Sequence, residues 1–154
     1  MTKILQILPL VWGLMATSIV QGAEKKIARA GLPPAVEKTV AEQTKNAVIK
    51  GLSTEVDHGK RVYEAELVVD GHGRDVTIEE SGTIIEIEDE VSLASLPPSV
   101  KDGLTKMAGP GSIAKVESLT KQGKLVAYEA VVRQGKKRHE IQVGPDGQAL
   151  AHPE

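Results

Sequence analysis

Leu32-Pro33-Pro34-Ala35-Val36 returns sixty-four positions later as Leu96-Pro97-Pro98-Ser99-Val100. Gly-Lys and then Tyr-Glu-Ala follow each copy, so that Tyr63 and Tyr128 occupy equivalent places. These two tyrosines are the only aromatic residues beyond the first twenty positions. Self-similarity at a fixed period is the signature of a duplicated structural unit. We therefore predict two units, at residues 32–90 and 91–154.

Each unit is predicted to begin with a helix at its proline pair, because the first helical turn does not need the N–H groups that proline lacks. In the first unit an apolar stripe continues to Gly51, which is a natural stop. That stripe consists of Val36, Val40, Ala47 and Val48. The second stripe, Val100, Leu104 and Met107, ends at Gly109-Pro110. This helix is expected to be shorter, and weaker by about 1 kcal/mol because of Gly103.

After each helix in the sequence, period-two patterning predicts three or four strands. Residues 62–69 alternate in this way, and leading strands are expected at 52–56 and 112–121. Short turns such as Asp70-Gly71 require antiparallel neighbours. The predicted fold class is α+β, with an α-β-β-β-β order in each unit and the helices packed on one sheet face. Residues 84–93 should form the seam, either between two sheets or within one continuous sheet.

Residues 1–23 have the pattern of a secretory signal peptide, with Lys3, an interrupted apolar stretch and small residues before position 24. Residues 24–31 are then a short linker. No cysteine is available for lipid attachment, disulfides or thiolate–zinc sites. We expect a periplasmic or secreted protein that has no membrane association once the signal is cleaved. The core must rely on Val, Ile, Leu and Ala, since Phe is absent.

The two units differ in charge. Residues 32–90 contain six Lys/Arg and fourteen Asp/Glu, a net charge of −8, whereas residues 91–154 contain nine and six, a net charge of +3. Such asymmetry bears on partners more than on fold.

The repeated motifs resemble those of the PepSY-like domains of exported bacterial proteins. The resemblance rests on the Leu-Pro-x-x-Val helix start, Gly-Lys, an aromatic residue followed by Glu, and an Asp-Gly turn before the last strand. Their tandem arrangement is similar to the beta-lactamase-inhibitor-protein-like architecture. The resemblance covers nearly all of 32–152 and implies a non-enzymatic exported module, with hydrolase or protease inhibition as a function of some members. Glu80-Ser81-Gly82 departs from the usual Asp-Gly turn.

Strand alternation separates a buried face from an open face. Tyr63 and Tyr128 fall on the apolar side, so we interpret them as core residues, and the structural set is completed by Pro33, Pro34, Pro97 and Pro98. The candidate partner-binding residues lie on the other side: Glu64, Glu66, Asp75, Glu79, Glu86, Glu88, Arg133 and Arg138. Lys115, Glu117, Glu129, Glu140 and Gln142 give the same face of the second unit a mixed charge. A protein partner of unknown identity is expected.

The alternative function is binding of a cation such as calcium, or a stress-related role, by the acidic face of the first unit. The pattern favours a solvated strand face that resists aggregation over a cation site, because no EF-hand-like spacing is present. We predict no catalytic residues, cofactor or metal ligands, because the sequence contains no nucleophile motif, no phosphate loop and no histidine pair at ligand spacing. The basic run 136–138 lacks stacking aromatics, so nucleic-acid binding is not expected. Oligomeric state is not predicted.

Overall fold

In the computed structural model, which describes residues 24–154, both helices begin at the predicted proline pairs. Helix α1 spans Pro34–Gln43 and helix α2 spans Pro98–Ala108, with Pro33 and Pro97 at the capping positions. Helix α2 ends where predicted, at Gly109, whose φ of 54° is in the left-handed region that glycine tolerates. The predicted signal peptide, residues 1–23, lies outside the described residues.

Helix α1 is shorter than predicted, and the expected stop at Gly51 is wrong. Thr44 is the C-cap residue, and its backbone N–H and hydroxyl both donate to the carbonyl of Val40, at 3.0 and 2.8 Å, so that this last-turn carbonyl is satisfied. Strand β2, Ala47–Asp57, follows after a turn at 44–46 and contains the residues assigned to the end of the helical stripe. Val48 and Ile49 are β-branched and favour the extended backbone. Gly51 instead lies at a bulge in β2.

Helix α2 is the longer of the two by one residue, with eleven residues against ten, so the prediction that it is shorter is also wrong. Its buried side chains are Val100, Leu104 and Ala108. Met107, which was expected in the buried stripe, is 41% exposed. Gly103 faces the backbone of Gly147, and a methyl group at Gly103 would overlap the Gly147 carbonyl oxygen. This close approach explains why glycine occupies the middle of a helix.

One antiparallel sheet of eight strands extends across the described residues, with the strands in chain order. The short edge strand β1, Lys25–Lys26, comes from the expected linker and pairs with β2. The remaining strands are β3 (Lys60–Val69), β4 (His72–Glu79), β5 (Ile84–Glu90), β6 (Ser112–Lys121), β7 (Lys124–Gln134) and β8 (Lys137–Val143). The sheet is therefore continuous, and β5 pairs directly with β6 although α2 separates them in the chain.

Tight hairpins set the register of most neighbouring strands. His58, Asp70 and Gln122 have φ values of 47°, 50° and 50°, and each precedes a glycine that also has a positive φ. Positive φ at both central residues matches the type I′ turn, whose twist suits antiparallel hairpins.

Four strands follow α1, as predicted, but three follow α2. The fourth strand, expected near Leu150, is replaced by a single bridge between Val143 and Ala149. Pro145 has no backbone donor for a ladder, and the turn at 144–147 is held by the Gly144 N–H, which donates to the Gln148 carbonyl at 2.8 Å. This turn packs against α2, where the backbone of Gly147 meets Ser99 and Gly103.

The helices cover one face of the sheet, as predicted, and two hydrophobic clusters lie between them and the strands. Under α1 the cluster includes Val36, Val40 and Tyr63, and Tyr63 is 6% exposed. Under α2 the cluster includes Leu104 and other buried residues, and the half-buried Tyr128 packs against it. Both tyrosines therefore contribute to packing beneath the helices.

Candidate functional site

The face of the sheet opposite the helices, here called the open face, carries the candidate partner-binding residues. Registers place them on this side because their neighbours in β3 and β4, such as Ala65 and Val76, belong to the cluster under α1. Glu64 lies opposite Thr77, and Glu66 lies opposite Asp75. A period of two then puts every second residue of each strand on the same side.

The open face is concave. A single cavity of about 250 Å³ is lined by residues from strands as far apart as β2 and β6, including Glu55 and Lys121, and by Glu154 of the C-terminal tail. A cavity shared by residues several strands apart indicates a sheet that curves toward this side, and Glu154 supplies part of the lining. Val62, Leu119 and Val131 are on this side and 3–5% exposed, although they belong to neither cluster beneath the helices. A curved face of this kind can enclose a convex ligand.

Carboxylates occupy the middle of the open face. We call six of them the acidic centre: Glu64, Glu66, Asp75, Glu88, Glu117 and Glu129. Asp75 of β4 lies between Glu66 of β3 and Glu88 of β5, directly opposite both. Glu117 of β6 lies directly opposite Glu129 of β7. Like charges in directly opposed positions destabilise a sheet.

Crowding and burial change the acidity of this group. The pKa of Glu88 rises to about 8, chiefly because burial disfavours its charge, and then because of the negative charges of Glu117, Glu86, Glu129 and Asp75. The pKa of Glu64 rises to about 7 for similar reasons, with burial first and Asp75 second. Repulsion and desolvation both favour the protonated carboxyl. Glu88 and Glu64 therefore hold protons near neutral pH.

Glu117 is the most buried member of the acidic centre, with 5% of its surface exposed. The ammonium of Lys115 lies 2.5 Å from Oε1 of Glu117. This ion pair raises the pKa of Lys115 and compensates the buried charge of Glu117. Nearby, the side chain of Gln142 donates to Glu129 at 2.7 Å. One ammonium thus faces several carboxylates.

Other predicted site residues lie at the margins of the open face. Glu86 pairs with Lys121 at 3.5 Å, and Glu79 pairs with Lys60 at 3.5 Å. Arg133 and Arg138 are exposed and directly opposed in β7 and β8, so the basic corner is set apart from the acidic centre. The structure brings Glu64, Glu66, Asp75 and Glu88 together and separates them from both arginines.

Two functional candidates were missing from the predicted site. Alternation already placed Glu117 and Glu129 on the open face, but it assigned them to a mixed surface of the second unit. The β5–β6 pairing, with Glu90 opposite Glu117, joins them to the acidic residues of the first unit. No local sequence signal predicts this pairing, because the 21 residues 91–111, which include α2, separate β5 from β6 in the chain.

Within residues 24–154, no helix has the length and apolar character that crossing a membrane would require.

The fold of this chain is similar to the folds of several solved structures. No protein-family profile matches the sequence, and no curated protein matches it as a relative. Among solved structures, a protein from Bacteroides eggerthii whose description places it in the periplasm has a TM-score of 0.63 at 16% identity, covering 77% of this chain and 86% of that one. A BLIP-like protein from Bacteroides fragilis has a TM-score of 0.55 at 22% identity, covering 75% and 81%. A DUF2874 family protein from Bacteroides ovatus has a TM-score of 0.59 at 21% identity, covering 77% and 84%. The fold is therefore BLIP-like.

Proposed function

We propose that this chain is an exported, non-catalytic module of the bacterial periplasm whose open face binds a protein partner with a basic surface. The acidic centre on a concave sheet face that the helices leave uncovered carries the proposal. The description of one structural neighbour as periplasmic supports the location, and the predicted signal at 1–23 agrees with it. We further infer that residues 32–90 and 91–154 are tandem PepSY-like units within this one sheet.

Charge complementarity identifies the chemistry of the partner. Within residues 24–154, the cross-strand partners of Asp75 and Glu88 on the open face are Glu66, Leu119 and each other. The positive charge that acts on Asp75 is that of Lys115, which is already paired with Glu117. A lysine or arginine side chain of a partner would offset this repulsion, and complementary potentials also accelerate encounter and exclude wrong partners. A stable interface buries about 800 Å² on each side, so the contact must extend beyond the acidic centre.

Inhibition or regulation of an envelope hydrolase is the function that we propose for this binding. The BLIP-like neighbour has a similar fold, and the identity between the two chains is 22%. An inhibitor does not need catalytic groups of its own. It needs a rigid surface, which a sheet backed by two helices provides.

The test is capture of periplasmic proteins by the purified chain, followed by affinity measurement with each captured protein after purification. The triple variant Glu64→Lys, Glu66→Lys, Glu86→Lys is expected to weaken binding at least a hundredfold, because three attractive charges become repulsive. The control Glu42→Lys, Glu80→Lys, Asp102→Lys changes net charge equally at exposed positions away from the acidic centre, and should bind like the wild type.

Equal affinity of the wild type and the open-face triple variant would refute binding through this face. Loss of binding in both triple variants would show that net charge alone governs capture. Self-association of the purified chain, measured by sedimentation, would identify a second copy rather than a different protein as the occupant.

A further inference from the structure

Positive charge is concentrated at one corner of the open face, in the hairpin that joins β7 to β8. Residues 133–140 contain four Lys/Arg and one Glu, a net charge of +3, and all of them are exposed. Arg133 lies directly opposite Arg138. Val132, the residue before Arg133, belongs to the cluster under α2, so strand alternation directs both arginines to the open face. Arg133 and Arg138 together form the basic corner.

The fold leaves much of this positive charge without compensation. Glu140 pairs with Arg138 at 3.2 Å, whereas Arg133 has no ion pair among the residues of 24–154. Lys136 and Lys137, at the tip of the hairpin, add to the positive potential. Charged side chains on an edge strand discourage aggregation, but charges of alternating sign would do so without the repulsion between two directly opposed arginines.

The basic corner and the acidic centre form two separate regions of opposite potential. Glu129 and Arg133 are four residues apart in β7, which corresponds to about 14 Å along the strand. The Debye length is about 8 Å at physiological ionic strength. The acidic centre therefore does little to neutralise the arginines through the solvent.

The size of a stable interface brings both regions under one partner. A standard interface covers about 800 Å² on each side, which is a circular patch with a radius of about 16 Å. Residues that dominate affinity lie near the centre of an interface, where water is excluded, and Glu117 is the most buried member of the acidic centre. Arg133 is about 15 Å from Glu117, because β6 and β7 are neighbouring strands. A patch centred on Glu117 thus reaches the basic corner.

Building on the function proposed above, we propose that the basic corner binds an acidic group of the same partner whose basic group binds the acidic centre. The partner surface then carries cationic and anionic side chains about 14 Å apart. An apolar or cationic surface at this position would leave Arg133 and Arg138 desolvated without compensation, which is costly. Two contacts of opposite sign also fix the orientation of the partner, because turning it by half a rotation would bring like charges together.

Three synthetic peptides test this arrangement on the purified protein. The dipolar peptide consists of four lysines, Gly-Ser-Gly-Ser and four glutamates, and its charged blocks are centred about eight residues apart, a root-mean-square span of about 16 Å for a flexible chain. The basic peptide has glutamine in place of each glutamate, and the acidic peptide has glutamine in place of each lysine. Binding is followed by the amide shifts of the ¹⁵N-labelled protein at low ionic strength, where contacts between charges are least screened.

Each peptide has its own expected footprint. The basic peptide should shift the amides of the acidic centre, the acidic peptide should shift those of residues 133–138, and the dipolar peptide should shift both sets. The dissociation constant of the basic peptide divided by that of the dipolar peptide measures what the glutamates contribute.

Variants assign that contribution to the arginines. Combining Arg133→Gln with Arg138→Gln should lower the ratio of the two dissociation constants at least about threefold, since exposed charge pairs contribute a few tenths of a kcal/mol to about 1 kcal/mol each. The control combines Lys101→Gln with Lys106→Gln, which removes two exposed charges from α2 on the opposite face, and should leave the ratio unchanged. Circular dichroism verifies that both variants are folded.

An unchanged ratio in the arginine variant would overturn the inference while leaving the proposed function intact, provided that the basic peptide still shifts the acidic centre. An equal fall in the arginine variant and in the lysine control would also overturn it, because net charge alone would then govern binding. If the basic peptide does not perturb the acidic centre of the wild type, the open face does not recognise basic groups, and the proposed function fails together with this inference.

Discussion

Replacing Glu88 with glutamine tests the electrostatics of the acidic centre through the stability of the fold. Burial and four neighbouring carboxylates raise the pKa of Glu88 from 4.5 to about 8. The folded protein thus binds this proton more tightly than the unfolded chain does. The resulting stabilisation is fully present below about pH 4.5 and is lost as the pH rises through about 8. Glutamine keeps the shape of the side chain and never ionises.

The magnitude follows from the pKa difference. If the whole pKa difference between the folded and unfolded states contributed to the free energy of unfolding, it would amount to about 5 kcal/mol. Glu88 keeps contact with water, however, and solvent screening reduces the contribution to about 1–2 kcal/mol. We therefore expect Glu88→Gln to be more stable than the wild type by this amount at pH 8.5, with a melting temperature about 4–8 °C higher. Below pH 4.5 the two proteins should differ by less than about 0.5 kcal/mol.

The assay is thermal unfolding followed by circular dichroism, in buffers that contain EDTA so that divalent cations are absent. Glu42→Gln serves as the control, because it removes one exposed carboxylate on α1 and should change stability by less than about 0.5 kcal/mol at either pH. If Glu88→Gln is less stable than the wild type at pH 8.5, or if the difference does not change with pH, then ionisation of Glu88 does not destabilise the folded protein.

Packing beneath α2 gives two further predictions, both measured by urea unfolding. Gly103→Ala should destabilise the protein by about 1–3 kcal/mol although alanine has the better helix propensity, because the new methyl group overlaps the Gly147 carbonyl. A stabilised variant would show that the turn at 144–147 can move away at no cost. Leu104→Ala should lower the free energy of unfolding by about 2–5 kcal/mol, since Leu104 is fully buried, whereas Met107→Ala should lower it by less than about 1 kcal/mol. Equal losses of stability in the two variants would contradict the assigned orientation of the helix.

Local signals in the sequence were sufficient to predict where the helices begin, where α2 ends and which face of β3 is buried. The proline pairs predicted both helix starts, and Gly109 predicted the end of α2. Alternation in 62–69 assigned Tyr63 to the side beneath the helices and Glu64 to the open face, which the registers bear out. These features depend on backbone chemistry and on neighbours within a few residues, so a single sequence contains them.

Features that depend on distant contacts were missed. The apolar residues Ala47 and Val48 fit a helical stripe as well as a strand, and pairing of β2 with β3 decides between the two. Gly103 was expected to weaken α2, because nothing near it in the sequence shows that Gly147 packs against it. Glu117 was assigned to a different surface from Asp75, since only the β5–β6 pairing brings their strands within reach of one another.

The opposite charges of the two halves do not cancel where the halves meet. Of the basic residues in 91–154, Lys115 and Lys121 reach the acidic half of the open face, and they pair with Glu117 and Glu86. Arg133 and Arg138 are directed to the far corner, where Arg138 pairs with Glu140 at 3.2 Å. Among the described residues, Asp75 and Glu88 thus lie directly opposite each other at the seam, where the Lys115 ammonium acts on Asp75 while it pairs with Glu117. In the free protein the raised pKa values of Glu64 and Glu88 relieve part of this repulsion by protonation, and a basic side chain of the proposed partner would relieve it further.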